Sequence, residues 1–145
     1  MFLPLLLAAL LLTSCVGGAA DLSGVTPPDS TTITTTGNAK VDKVLQEWQA
    51  GVPQAMQDHQ VKADTITQVT YTTGKSLDEV KSYYDTTFTS EKGWRASTRT
   101  PGLDAAQGVL ISGYDHGVTS LVVGAVDQSK YGGEGVVVYT ATGHK

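Results

Sequence analysis

The spacing of apolar residues changes from a helical period to a strand period at Gly93, and this change constrains the fold more than any other feature. In residues 76–91, just before Gly93, apolar side chains recur every three or four residues, as they do along one face of a helix. After Gly93 they alternate with polar residues, and short turn sequences separate the alternating runs. The predicted order of helix, strand, helix and then four strands joined by short turns indicates an α+β domain with an antiparallel sheet.

The first helix is predicted over residues 39–50. Asn38 is suited to the N-cap position, and Gly51 and Pro53 are typical residues for ending a helix. Four apolar residues form a stripe along one side of this helix: Val41, Val44, Leu45 and Trp48.

A second and longer helix is predicted over residues 76–91. Ser76 and Glu79 have the spacing of a capping box, and Gly93 suits a left-handed position after the last turn. The apolar stripe of this helix contains Leu77, Val80, Tyr84 and Phe88.

Alternating sequence predicts about five strands, and we expect both helices to pack on one face of their antiparallel sheet. Residues 118–126 are apolar on both faces, which is typical of a central strand. The predicted strands cover residues 64–73, 94–99, 106–114, 118–126 and 136–139.

The N-terminus carries an export pattern. An uncharged apolar run from Phe2 to Leu12 is too short for a membrane span and ends in the sequence Leu12-Thr13-Ser14-Cys15. This sequence resembles the lipobox of bacterial lipoproteins, in which an aliphatic residue and two small residues precede a cysteine. The resemblance implies a diacylglycerol on Cys15, removal of the signal peptide 1–14, acylation such as palmitoylation, and an extracytoplasmic location in the cell envelope. A buried thiol after an ordinary signal, or an uncut anchor, is the alternative.

Residues 15–37 are predicted to be a flexible tether between the lipid and a single domain at 38–145. The segment is rich in Ser, Thr and Gly and has few apolar side chains to bury. An edge strand or glycosylation of the threonine run is the alternative.

The part of the chain from 62 to 142 is similar to small extracytoplasmic domains of uncharacterised bacterial lipoproteins. The similarity is carried by the strand at 64–73, the helix at 76–91 and the Gly93-Trp94 pair before the last strands. It implies an α+β fold and transfers no catalytic residues.

The charged residues, the cysteine and the histidines form no recognisable catalytic or metal-binding motif. The net charge is −4, and no basic stripe is present, so we expect no nucleic-acid partner. One cysteine excludes an intramolecular disulfide and a cysteine-based metal centre. His59, His116 and His144 are too scattered for a metal-binding pair. We therefore predict no catalytic residues, no metal and no cofactor.

Tyr83 and Tyr131 are the predicted contact residues. Tyr83 falls off the apolar stripe of its helix, and Tyr131 lies in a glycine-rich stretch, so both suit an exposed contact surface. We expect a non-enzymatic binding or interaction module that is anchored to the membrane by lipid and meets an envelope protein or polymer. A structural scaffold of the envelope and a small hydrolase are the alternatives.

Overall fold

The computed structural model describes residues 19–145, and these residues form one antiparallel sheet and two α-helices. The helices are α1 (Ala39–Asp58) and α2 (Leu77–Thr87). The strands are β1 (Ser30–Thr32), β2 (Thr67–Thr73), β3 (Arg95–Ala96), β4 (Gly102–Asp104), β5 (Val109–His116), β6 (Thr119–Asp127) and β7 (Val136–His144). The order across the sheet is β1-β2-β7-β6-β5-β3, and β4 also pairs with β5.

The α+β class and the antiparallel sheet are confirmed, with seven strands among the described residues where about five were expected. The strand predicted at 94–99 is reduced to β3 at Arg95–Ala96, and the short strands β1 and β4 are additional. The central position expected for 118–126 is confirmed, because β6 lies between β5 and β7.

The prediction that both helices pack on one face is wrong. Leu121, Val123 and Ala125 of β6 belong to the apolar cluster that contains α2. Val126 of the same strand belongs to a second cluster, which contains α1. The central strands β6 and β7 are buried on both sides, so each face of the sheet needs its own cover.

The first helix is longer than predicted. Asn38 caps it as expected, since its side-chain oxygen accepts hydrogen bonds from the amides of Lys40 and Val41. The helix does not end at Gly51 and Pro53 but continues to Asp58. Met56, one turn beyond the proline, is buried against the sheet, so packing outweighs the local stop signals.

The second helix is shorter than predicted and ends at Thr87. The capping box is confirmed: the Ser76 hydroxyl accepts from the Glu79 amide at 3.2 Å, and the Glu79 carboxylate accepts from the Ser76 amide at 2.8 Å. Phe88 leaves the helical conformation, and its ring packs edge-on against Trp94 with 4.8 Å between the ring centroids. The expected burial of Val80, Tyr84, Phe88 and Trp94 is confirmed.

The tether prediction needs correction where the structure describes the segment. Ser30–Thr32 form the edge strand β1, which pairs with β2. Leu22 and Val25 pack against the cluster of α2, and the Tyr84 hydroxyl donates to the Val25 carbonyl at 2.7 Å. The folded domain therefore begins before residue 38. The signal peptide 1–14 and Cys15 lie outside the described residues.

Candidate functional site

An open cavity of about 680 Å³ lies on the α1 side of the sheet. We call it the α1 groove. One wall is the end of α1, with Val52, Ala55 and Met56, and the other wall is the segment 95–100. Ile111, Gly113, Ser120 and Val122 of β5 and β6 form its floor. The volume falls within the range of roughly 300–1,000 Å³ that is usual for small-molecule sites.

Two glycines of the sheet set the positions of the walls. A Cβ atom on Gly124 would lie 2.5 Å from the indole of Trp48, so α1 approaches the sheet at this point. A Cβ atom on Gly113 would lie 3.2 Å from the side chains of Ser97 and Thr100, and the Ser97 amide donates to the Gly113 carbonyl at 2.7 Å. The groove is the space between these two close contacts.

Both arginines of the chain line the groove. Arg95 and Arg99 are the only arginines in the sequence, and both belong to the wall opposite α1. Among residues 19–145, neither guanidinium lies within 4.0 Å of a carboxylate oxygen. Lysines elsewhere in this part of the chain form ion pairs, such as Lys75 with Asp29 at 3.4 Å.

Arg99 reaches across the groove to the end of α1. Its Nη1 lies 3.0 Å from Nδ1 of His59, the residue that follows the last turn of the helix. A guanidinium only donates hydrogen bonds, so Nδ1 of His59 is the acceptor in this contact. His59 thus orients the guanidinium without cancelling its charge.

The two carboxylates that line the groove already have partners. Asp115 accepts from the Ser120 hydroxyl at 2.5 Å and lies 3.7 Å from Nζ of Lys145. Asp58 accepts from the side-chain amide of Gln54 at 3.0 Å. The groove therefore offers two guanidiniums without a carboxylate partner above an aliphatic floor.

The histidines lie in three different places. His59 contacts Arg99 in the groove, while the His116 ring packs edge-on against Trp94 on the α2 side of the sheet. Nδ1 of His144 lies 3.1 Å from the Thr119 hydroxyl. No group of three His, Cys, Asp or Glu side chains within 19–145 is arranged to hold a metal ion.

The predicted contact residues Tyr83 and Tyr131 lie outside the α1 groove. Tyr83 is half-buried, donates to the Gly24 carbonyl at 2.9 Å and lines a smaller cavity of about 300 Å³ beside Pro27. Tyr131 packs against the cluster of α1, and its hydroxyl donates to the Gln107 carbonyl at 3.1 Å. Both side chains have partners within the fold, and their role in binding stays a prediction.

Burial raises the pKa of three tyrosines in the two clusters. Desolvation raises the pKa of Tyr84, Tyr114 and Tyr139 above the ordinary tyrosine value. Their hydroxyls remain protonated donors: Tyr114 donates to Asp85 at 2.9 Å, and Tyr139 donates to Gln68 at 2.6 Å. These hydrogen bonds support the fold.

The alternation of residues in the predicted strand 94–99 puts Arg95 and Arg99 together on its charged outer face and does not indicate a groove. The available signal was that the only two arginines of the chain lie four residues apart. The groove itself depends on the continuation of α1 past Pro53, which the local sequence argues against.

Comparison with protein-family models, curated proteins and solved structures finds no match to this chain. In the part of the chain from 19 to 145, no helix is long and apolar enough to cross a membrane.

Proposed function

We propose that this protein is a non-enzymatic binding module of the cell envelope, anchored on the extracytoplasmic side by lipid on Cys15. Support for the anchor comes from the sequence Leu12-Thr13-Ser14-Cys15 after a short apolar run. Two or more acyl chains hold a protein stably at a membrane, because each buried methylene contributes about 0.8 kcal/mol.

The observation that carries the binding role is the α1 groove. It combines an aliphatic floor with a few polar groups, and this combination is typical of ligand sites. Ser120 and Asp115 are hydrogen-bonded in the groove, but the histidine on its rim, His59, is bonded to Arg99. The arrangement therefore favours binding over nucleophilic catalysis, which needs a base oriented toward the nucleophile.

The anchor is tested by following the lipid. In the native host, cells are labelled with an alkyne analogue of palmitate, and the intact mass of the purified protein is measured. We expect the wild type to carry label and to begin at Cys15, and the Cys15→Ser variant to carry none. A matched Ser14→Ala variant retains the small residue before the cysteine and should be labelled like the wild type. An unlabelled wild type with a free thiol at Cys15 would contradict the proposal.

A further inference from the structure

The α1 groove differs from the rest of the described surface in its cationic groups. Arginine is suited to recognition of carboxylate and phosphate, because its planar guanidinium donates two parallel hydrogen bonds to such groups. The chain has ten Lys and Arg side chains but only two guanidiniums, and both face this one cavity. Its net charge of −4 gives no general attraction for anions, so the charge here is local.

The surroundings of the two arginines favour a bound anion. Arg95 pairs in register with Asp115 across β3 and β5, yet the Asp115 carboxylate is held by Ser120 and Lys145 instead. Arg99 is oriented by its hydrogen bond to Nδ1 of His59, which is not a carboxylate. Each guanidinium therefore retains donors that point to no carboxylate among the described residues.

The residues of the floor and of the wall that bears hydroxyl groups indicate the chemical character of the rest of the ligand. Ile111 and Val122 offer aliphatic surface below the arginines, and Val52 and Met56 continue it up the α1 wall. Ser97, Thr98 and Thr100 add hydroxyl groups on the opposite wall. A molecule with an anionic head at the arginines and a short aliphatic body on the floor satisfies both kinds of surface.

We propose that the α1 groove binds a small organic anion, with a carboxylate or phosphate head and a short aliphatic body. This inference rests on the proposed binding function and names its ligand class. Arg95 and Arg99 hold the head, His59 positions Arg99, and the aliphatic floor takes the body.

The wild type is tested first, by comparing ligands that differ in one part. The ¹⁵N-labelled full-length chain in nonionic detergent is titrated with hexanoate and hexyl phosphate, and the amides of Ile111, Gly113 and Ser120 are followed by NMR. Acetate lacks the chain, hexanol lacks the charge, and hexylammonium reverses it. We expect at least one of the two anions to bind about ten-fold tighter than all three controls. Equal binding of hexanol or hexylammonium would overturn the proposal, as would the absence of shifts with both anions.

Variants then assign the head-group contacts. Arg95→Gln and Arg99→Gln should each weaken binding of the preferred anion about ten-fold, because each removes a charged donor. Arg99→Lys should bind more tightly than Arg99→Gln but more weakly than the wild type, since lysine keeps the positive charge but cannot donate the two parallel hydrogen bonds of a guanidinium. Lys40→Gln, on an exposed lysine at the start of α1 outside the groove, is the matched control and should bind like the wild type.

The outcomes separate this inference from the proposed function. If the protein binds anions but carries no lipid, the proposed ligand class is supported and the proposed lipid anchor is contradicted. If the protein is lipidated but its ligand binding does not depend on charge, the proposed ligand class is contradicted. The proposed function as a lipid-anchored binding module is then retained. Unchanged affinity in both arginine variants would overturn the assignment of the head to these residues.

Discussion

Gly124 shows how one missing side chain determines the position of a whole helix. The indole of Trp48 fills the space in which a Cβ atom at residue 124 would lie, with ring carbons 2.5 and 2.7 Å from that position. Trp48 also packs against Tyr139, with ring centroids 6.0 Å apart. The contact is with a rigid ring on a packed helix, so a methyl group at 124 has to displace α1.

We predict that Gly124→Ala lowers the free energy of unfolding by about 1–3 kcal/mol, the usual cost of overpacking a core. Urea denaturation measures the change. Gly51→Ala is the matched control: Gly51 lies inside α1 with open space around its Cβ position, so alanine should stabilise by about 0.5–1 kcal/mol through helix propensity. Similar effects of the two substitutions would contradict the packing of Trp48 on the sheet.

Asp42 makes a second single-residue link, between α1 and the segment before it. Its carboxylate accepts from the Thr36 amide at 2.8 Å and from the hydroxyls of Thr35 and Thr36, both at 2.7 Å. These hydrogen bonds lower the pKa of Asp42 below its ordinary value of 3.8. Its contribution to stability is therefore present above that value and is lost as the pH falls through the lower pKa of the folded state.

At the scale of elements, α2 and the residues after it form one aromatic unit. The Phe88 ring lies 5.9 Å from Tyr84, 4.8 Å from Trp94 and 5.5 Å from Tyr114, measured between ring centroids. These neighbours come from the helix, from the chain before β3 and from β5. Phe88 thus connects three elements on one face of the sheet.

We predict that Phe88→Ala lowers the free energy of unfolding by about 3–5 kcal/mol, because it leaves a cavity among three rings that cannot close it. Lys81→Ala on the same helix is the control. It removes a lysine whose ion pair with Asp85 is exposed to solvent, and such pairs contribute well under about 1 kcal/mol. Equal losses in denaturant unfolding would mean that the buried face of α2 is assigned incorrectly.

Sequence reasoning succeeded at the elements whose signals are local. The capping box at Ser76, the N-cap at Asn38 and the two-sided apolar run of β6 all describe short stretches of chain, and all agree with the structure. The end of α1 was missed because Met56 gains its burial from distant strands, which outweighs the cost of Pro53 inside the helix.

Which helix covers which face of the sheet cannot be predicted from any local sequence pattern. The sequence shows that β6 is apolar on both sides but does not say which helix covers which side. The α1 groove is a consequence of that arrangement, since one wall is the late part of α1 and the other is the chain between β3 and β4. Arg95 and Arg99 could therefore be recognised as charged and exposed from the sequence, but not as neighbours of the same cavity.

At the scale of the whole molecule, the segment before α1 is part of the fold, with Leu22 and Val25 on the α2 side and Ile33 on the α1 side. β1 pairs with β2, and the Ile33 amide continues the ladder by donating to the Thr70 carbonyl at 2.9 Å. The carbonyls of Gly24 and Val25 accept the hydroxyl hydrogens of Tyr83 and Tyr84. Burial raises the pKa of Tyr84, so its hydroxyl stays protonated and needs that acceptor.

We predict that a chain starting at residue 38 is less stable than one starting at residue 19 by at least about 3 kcal/mol. The shorter chain loses the apolar contacts of Leu22 and Val25, each worth roughly 1 kcal/mol when half-buried, and leaves the Tyr84 hydroxyl without its partner. Thermal and urea unfolding of the two chains measure the difference. Hydrogen exchange on the full-length protein provides an independent readout, because the hydrogen-bonded Ile33 amide should exchange slowly while the amide of Thr34, an exposed residue, exchanges fast. Equal stability of the two chains, with rapid exchange at Ile33, would restore the flexible tether up to residue 37.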